Sequence, residues 1–459
     1  MTQRSASALR AEFEAVSETV LGALQPGEDA TLSWAAEQSL FCRFSGGAVR
    51  QAGSVDQAEL TLRLISGGRH ARATVDVAGP DAPAVALRSL RQLRSLLPAL
   101  PADPYLLWNE AGDRLPSRDD PGPESTSPSS GRADDAMGRI VAAARDLGGA
   151  QPLDLVGILA DGRIARGFSS SRGGHAWQSV PRCHLDFSLY LQGDKAVKSA
   201  IAGPDAALLD LEGAIAAAAG KLRLLALPAI DLPRGRYRAW LEPAAVAELL
   251  ALLSWGGFSG SELHTRSSPL LRLQAGEVAL NPSVHLVEDL ESSAAPRISG
   301  DGFVRPPQVP LVAAGRFAGA LVSPRSAIEH GLQQNGANDE EGPEALTMAP
   351  GTLSPEAALQ AVGDGVYVSN LWYLNWSDRA AACATGMTRF ATFAVRDGVI
   401  AGPMQVMRFD DSLFRLLGEG LLALGDRAET LPDASTYGRR STQSVRTPGA
   451  LVEGLAFTL

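Results

Sequence analysis

The stretch SPEAALQAVGDGVYVSNLWYLNWSDRAAACATGMTRFATFAVRDGVIAGPMQ, Ser354 to Gln405, decides the fold class. Ser354 is a good N-cap and Pro355 suits a first helical position, so a short helix runs to about Val362. The chain around this helix reads as strand-rich. In TFAVRDGVIAGPMQ the dipeptide Asp397-Gly398 supplies the positive φ angles of a tight hairpin between two apolar runs. Helix and antiparallel strands in one stretch mean an α+β protein. Upstream, Pro243 opens a helix in which Val246, Leu249, Leu250 and Leu253 share a face, and Gly256 and Gly257 close it. The rest of the C-terminal half is strand-rich, with a second hairpin signal at Asp301-Gly302 and a helix expected near Ser412 to Leu424. QQNGANDEEGPE, Gln333 to Glu344, reads as a mobile loop.

Toward the N-terminus, Leu9, Phe13, Val16, Val20 and Leu24 form the stripe of an amphipathic helix that Pro26 and Gly27 end. Four short strands are expected at 30–36, 39–44, 48–52 and 59–65, and a fifth at 71–77. Leu60, Leu62 and Leu64 alternate with Thr61 and Arg63, which gives one buried and one wet face. A helix carrying Leu87, Leu90, Leu93 and Leu97 follows. RDDPGPESTSPSSGRADD is nearly free of large apolar side chains and cannot offset its own ordering entropy, so a flexible linker or an insertion loop is expected over 116–135. A helix near Met137 to Leu147 follows. LDLVGILADGRIARGF then reads as two strands turning at Asp161-Gly162, and HLDFSLYLQGDKAVKSAIAG as two more turning at Gly193. The chain thus divides into an N-terminal helix-meander-helix α+β domain (1–115), the linker or loop (116–135), a central α+β segment (136–240) and a β-rich C-terminal domain with antiparallel sheets and few helices (241–459).

Composition narrows function by exclusion. The 459 residues carry 41 Lys plus Arg against 51 Asp plus Glu, a net charge of −10 that repels a phosphate backbone, so no nucleic-acid partner is expected. No window approaches the roughly 18 uninterrupted apolar residues of a spanning helix, so no membrane association is expected. Glu12 and Glu14 stand where a signal peptide needs its apolar centre, which points to the cytoplasm. Cys42, Cys183 and Cys383 are widely spaced and form no CxxC pair, so they read as reduced thiols.

No catalytic constellation stands out. The histidines, His70, His175, His184, His264, His285 and His330, include no pair three or four apart, so a helical zinc pair is absent. GFSGS, Gly257 to Ser261, has Ser261 where a nucleophile elbow needs its second glycine, and it reads as a glycine-rich helix exit. In PRCHLDFS, His184 and Asp186 point one way on a strand and Cys183 the other, so no thiol-imidazole pair forms. GFSSSRGGH, Gly167 to His175, reads as a turn rather than an anion site. SNLWYLNW, Ser369 to Trp376, suits a peptide groove, an interface anchor or an interior corner, and the sequence leaves open whether Trp372 and Trp376 line a groove.

Glu356 to Phe409, with its G-x-Y-V strand and its D-G-x-I-x-x-P hairpin, resembles the C-terminal sheet of the TldD/PmbA family. EALTMAPGTLS is similar to that family's N-x-x-x-x-P-G approach, with Ala345 in place of the asparagine. GRIARGFSSSRG resembles its strand and N-S-x-G loop. The resemblance implies a metallopeptidase fold whose catalytic TldD-type members carry H-E-x-x-x-H on a helix and a further cysteine near the C-terminus. Laid on this chain, those positions fall at Ala251, Leu252 and Gly256, with Tyr437 near the cysteine position; methyl, isobutyl and hydrogen substituents can neither ligate zinc nor deprotonate water. Hence no catalytic, cofactor-binding or metal-binding residue is assigned. The chain is identified as resembling the TldE (PmbA)-type subunit, which implies a heterodimer with a TldD-type zinc-binding partner, zinc in that partner, and peptide substrates for proteolysis or leader trimming. Two alternatives stand beside it: a stand-alone peptide- or small-molecule-binding protein, self-associating as a homodimer, and a self-sufficient hydrolase built from residues judged structural.

Overall fold

The computed structural model describes residues 6–110, 115–119, 129–193 and 195–458. The amphipathic stripe forms α1 (Ala6–Gly22), with Leu9, Phe13, Val16 and Val20 buried. Where four short strands were expected, two long ones run unbroken: β1 (Asp29–Ser45) and β2 (Ala48–Ser66), turning at Gly46 and Gly47, both at positive φ. β3 (Arg69–Asp76) and α2 (Ala82–Leu96) follow. Residues 120–128, inside the expected linker, lie outside the described residues. They are flanked by the two-residue strand β4 (Arg118–Asp119) and by α3 (Ser129–Gly148).

The expected hairpin at Asp161-Gly162 does not exist. β5 (Asp154–Ser170) passes straight through it, because β1 pairs along one side and β6 (His175–Gln192) along the other. Gly162 serves close approach instead: a Cβ there would lie 2.0 Å from the Gln38 carbonyl oxygen. The turn at Gly193 does form, into β7 (Lys195–Gly203). The resulting sheet runs β3-β2-β1-β5-β6-β4, with β7 also on β6. Segments on both sides of residues 116–135 therefore share one sheet.

Alternation sorts the faces of this sheet. Leu32, Trp34, Leu60, Leu62, Ala165 and Trp177 pack with α1 and α2, while Leu155, Leu159, Cys183, Leu185 and Phe187 pack with α3 and α4 (Leu211–Leu225). The opposite face is polar yet not wet. Arg63, 7% exposed, pairs with Asp301 at 2.9 Å, and Glu59 pairs with Arg439 at 2.6 Å. That face lies against the C-terminal half.

The C-terminal half is built on a 13-stranded sheet. At its centre, β8 (Gly235–Leu241) pairs antiparallel with the final strand Ser444–Phe457 and parallel with Gly365–Val368. Its apolar helix α5 (Pro243–Leu253) buries Val246, Leu249, Leu250 and Leu253 in the largest core. The short helix Pro355–Val362 forms with Ser354 as its cap, and the Asp397-Gly398 hairpin forms as expected. The helix expected over 412–424 shrinks to one turn, Leu413–Leu416, after which strand Leu421–Pro432 begins. Beyond that turn the chain is drawn into the sheet, where Leu421 pairs with Val452 of the final strand. At Asp301-Gly302 no strand pair forms; the turn is closed by a single bridge between Ile298 and Val304.

Candidate functional site

A cleft of about 850 Å³ opens where the polar face of the first sheet meets α5. Pockets for small molecules span about 300–1,000 Å³, so this one is large enough for a short peptide. α5 contributes Ala247, Glu248 and Ala251, and its exit adds Ser254 and Trp255. β6 and β7 supply Asp186 and Lys198 from across the cleft. The third wall is the segment from Leu431 to Ser435, and the fourth comes from Asn338 to Leu346. Five carboxylates, Asp186, Glu248, Glu340, Glu344 and Asp433, face one ammonium, Lys198. Burial raises Glu248 and Asp186 above the ordinary carboxylate range, and the Lys198 charge only partly opposes it.

Gln333 to Glu344, expected to be mobile, is held firmly. Glu341 is 2% exposed and accepts from the Ser259 hydroxyl at 2.6 Å, the Ser323 amide at 2.7 Å and the Ser261 amide at 2.8 Å. Beside it, Arg305 bridges Glu288 at 2.8 Å and Glu344 at 3.0 Å, and Glu288 also accepts from the amides of Glu344 and Ala345. The loop bearing Asp433 is pinned from beneath by Arg440. Its guanidinium pairs with Glu37 at 3.1 Å and donates to the Arg182 carbonyl at 2.8 Å.

The positions assigned by resemblance converge only in part. Ala251 lines the cleft, whereas Leu252 is 3% exposed and belongs to the core. Gly256 has φ +76° and turns the chain out of α5. Tyr437 is 96% exposed and does not line the cleft, although Asp433, Ala434 and Ser435 of the same loop do. Sequence reasoning thus reached α5 and this loop but missed the walls from β6, β7 and 338–346. Their only local signal is the polar alternation of Asp186 and Lys198 on otherwise apolar strands.

The other sequence candidates resolve individually. Cys183 and His184 lie on opposite faces of β6; burial raises the thiol far above its ordinary value and, with Arg440 and Arg182 nearby, lowers His184 to about 4. Ser259 caps a new five-residue helix, Gly260–His264, rather than ending one. The Ser261 hydroxyl lies 3.0 Å from His330 Nε2, and His330 stacks on His264 at 4.6 Å. Glu341 already occupies the Ser261 amide that an oxyanion would need. Gly167 to His175 forms the β5–β6 turn, in which the Gly174 amide donates to Ser170 Oγ. From the aromatic segment, Asn370 reaches the cleft while Trp372 and Trp376 do not. Trp372 lies under the Arg389 guanidinium at 4.5 Å, Tyr373 is 79% exposed, and Trp376 packs on the C-terminal core.

Two packed α+β halves enclosing a cleft define the class of this protein, and the same architecture recurs in solved structures. TldE from Thermococcus kodakarensis superposes with a TM-score of 0.77 at 16% identity, covering 98% of this chain and 100% of that one. A protein from Thermotoga maritima described as a candidate modulator of a DNA gyrase gives 0.76 at 15% identity over 97% and 100%. A Bacteroides thetaiotaomicron protein described in the same way gives 0.75 at 16% identity over 98% of both. At these identities the likeness is one of fold. No curated protein matches by sequence. Residues 234–459 match the PmbA/TldA metallopeptidase C-terminal domain. Residues 234–459 are thus a domain of the PmbA/TldA metallopeptidase type, and the chain as a whole shares the TldE fold.

The family's metallopeptidase name implies a metal, and the cleft's donor set can be tested for one. The residues lining it include carboxylates but neither an imidazole nor a thiol. Among the described residues, no three His, Cys, Asp or Glu side chains gather as a metal site. A peptidase zinc site draws on imidazole or thiolate together with a carboxylate base, so these residues do not fit one. Among the described residues, no helix is long and apolar enough to cross a membrane.

Proposed function

We propose that this chain is the TldE-type subunit of a cytoplasmic TldD/TldE-type metallopeptidase complex, with zinc held by a catalytic TldD-type partner and peptides as substrates for proteolysis or leader trimming. The observation that carries this reading is the place of Ala251: it faces a peptide-sized cleft, on the helix where a catalytic relative carries its ligands, with a methyl group that cannot bind metal. A chain of this kind still contributes a cleft wall, polar groups for an extended backbone and interface area. Co-expression with a homologue bearing H-E-x-x-x-H tests it. The expected result is a stoichiometric complex that cleaves peptides and contains zinc only while that partner is present. Failure to associate at micromolar concentrations would sink the partner role.

A second reading, a peptide- or small-molecule-binding protein acting alone or as a homodimer, draws support from the cleft being walled by a single chain. It requires tight peptide binding in the absence of any partner.

A further inference from the structure

A smaller cavity of about 240 Å³ adjoins the cleft, and Asn338, Glu344 and Gln443 line both. It is larger than the roughly 150 Å³ cavity that suffices to hold a benzene molecule. Its floor is the polar face of the first sheet, where Arg166 points away from the core that holds Ala165 and Gly167 faces Phe13. The Arg166 guanidinium makes no ion pair among the described residues. Its one hydrogen bond runs to the Ala165 carbonyl at 3.1 Å. The other arginine in this lining, Arg305, is committed to Glu288 and Glu344. The carboxylates of Glu344, Glu37 and Glu59 act on Arg166 only at a distance, and Arg439 opposes them. Desolvation, reinforced by Arg439, brings its pKa down to about 10, so it is still charged at neutral pH. A half-buried guanidinium with no anion in contact is costly, and carboxylates acting at a distance offset that cost only in part.

The geometry points to Arg166 as the anchor for a carboxylate at the end of a peptide lying in the cleft. A guanidinium fork matches a carboxylate with two parallel hydrogen bonds. Glu344 in the same lining disfavours a dianion such as phosphate. Phe168, Ile298 and Pro296 form an apolar wall beside the guanidinium that takes the side chain of the terminal residue. Polarity follows: the carboxylate end enters the small cavity while the cationic remainder lies among Glu248, Asp186 and Asp433. This inference rests on the peptide reading above and adds a direction and a terminal specificity to it.

The test is calorimetric titration of the full chain with lysyl-tetraalanine bearing a free carboxylate and with its C-terminal amide, repeated on Arg166→Met. The free acid should bind wild type about tenfold or more tightly than the amide, and Arg166→Met should bind the two equally, because the charge-assisted pair is what distinguishes them. Equal binding of both forms by the wild-type chain overturns the anchor but leaves peptide binding intact, whatever the variant does. A preference that survives in Arg166→Met also overturns it. Binding of neither form overturns the anchor and, with it, the reading of the cleft as a peptide site.

Discussion

Arg440, 2% exposed, joins the loop at the cleft's rim to the first sheet through Glu37, which also accepts from the Arg440 amide at 2.9 Å. Burial alone would raise the Glu37 carboxyl; hydrogen bonds from Ser39 and Arg440 outweigh it and hold it below its ordinary range. Removing one member of such a pair strands the other's charge. Arg440→Met should therefore cost about 3–5 kcal/mol in urea unfolding, and Glu37→Gln added to it should restore much of the loss. A pair of little consequence would instead leave the single variant within about 0.5 kcal/mol of wild type. Asp103 gives a pH test at the same scale. Burial raises it, but the Tyr105 amide, Arg325 and His70 together bring it down to about 2 from an ordinary 3.8. Because the folded pKa is depressed, its stabilisation is complete above about 3.8 and disappears as pH falls toward 2. The stability gap between wild type and Asp103→Asn should narrow over that interval. None of these contacts is legible in the sequence, since Glu37 and Arg440 lie some 400 positions apart and carry no local pattern that joins them.

At the scale of elements, two identical dipeptides had opposite fates. Asp397-Gly398 turns between paired strands, with both residues at positive φ. Asp161-Gly162 stays inside β5, because partners on both sides of that strand outweigh the local turn preference. Gly162→Ala should accordingly destabilise by about 1–3 kcal/mol through overpacking against β1, measurable as a lowered urea midpoint. If Asp161-Gly162 were a tight turn with positive φ, the lost glycine would instead show as backbone strain with β1 undisturbed. Legibility followed the range of the determining interaction. The α1 stripe, Pro243 at the start of α5 and the Ser354 cap are local and were readable. The merging of four expected strands into β1 and β2, and the one-turn remnant at Leu413–Leu416, depend on contacts made elsewhere.

For the whole molecule, the cleft is a product of assembly. α5 and the loop near Tyr437 were reachable through resemblance, whereas Asp186 and Lys198 enter only because the polar face of the first sheet closes on the C-terminal half. Its acidic lining makes a further prediction. Glu248 and Asp186 have raised pKa values, so they gain charge only above the ordinary carboxylate range. Affinity for a cationic peptide should rise as pH increases through those raised values, and Glu248→Gln should flatten the rise. A flat profile in the wild-type chain would mean that these carboxylates do not meet the ligand.

The proposed subunit role turns on the methyl group of Ala251, at the position where the family resemblance puts a catalytic member's ligand. The most direct measurement is zinc content and peptide cleavage by the purified chain, alone and after mixing with a homologue bearing H-E-x-x-x-H. The account predicts well under one zinc per chain and no cleavage alone, with both appearing in the mixed complex. One tightly held zinc per chain, together with chelator-sensitive cleavage by this chain alone, would contradict it.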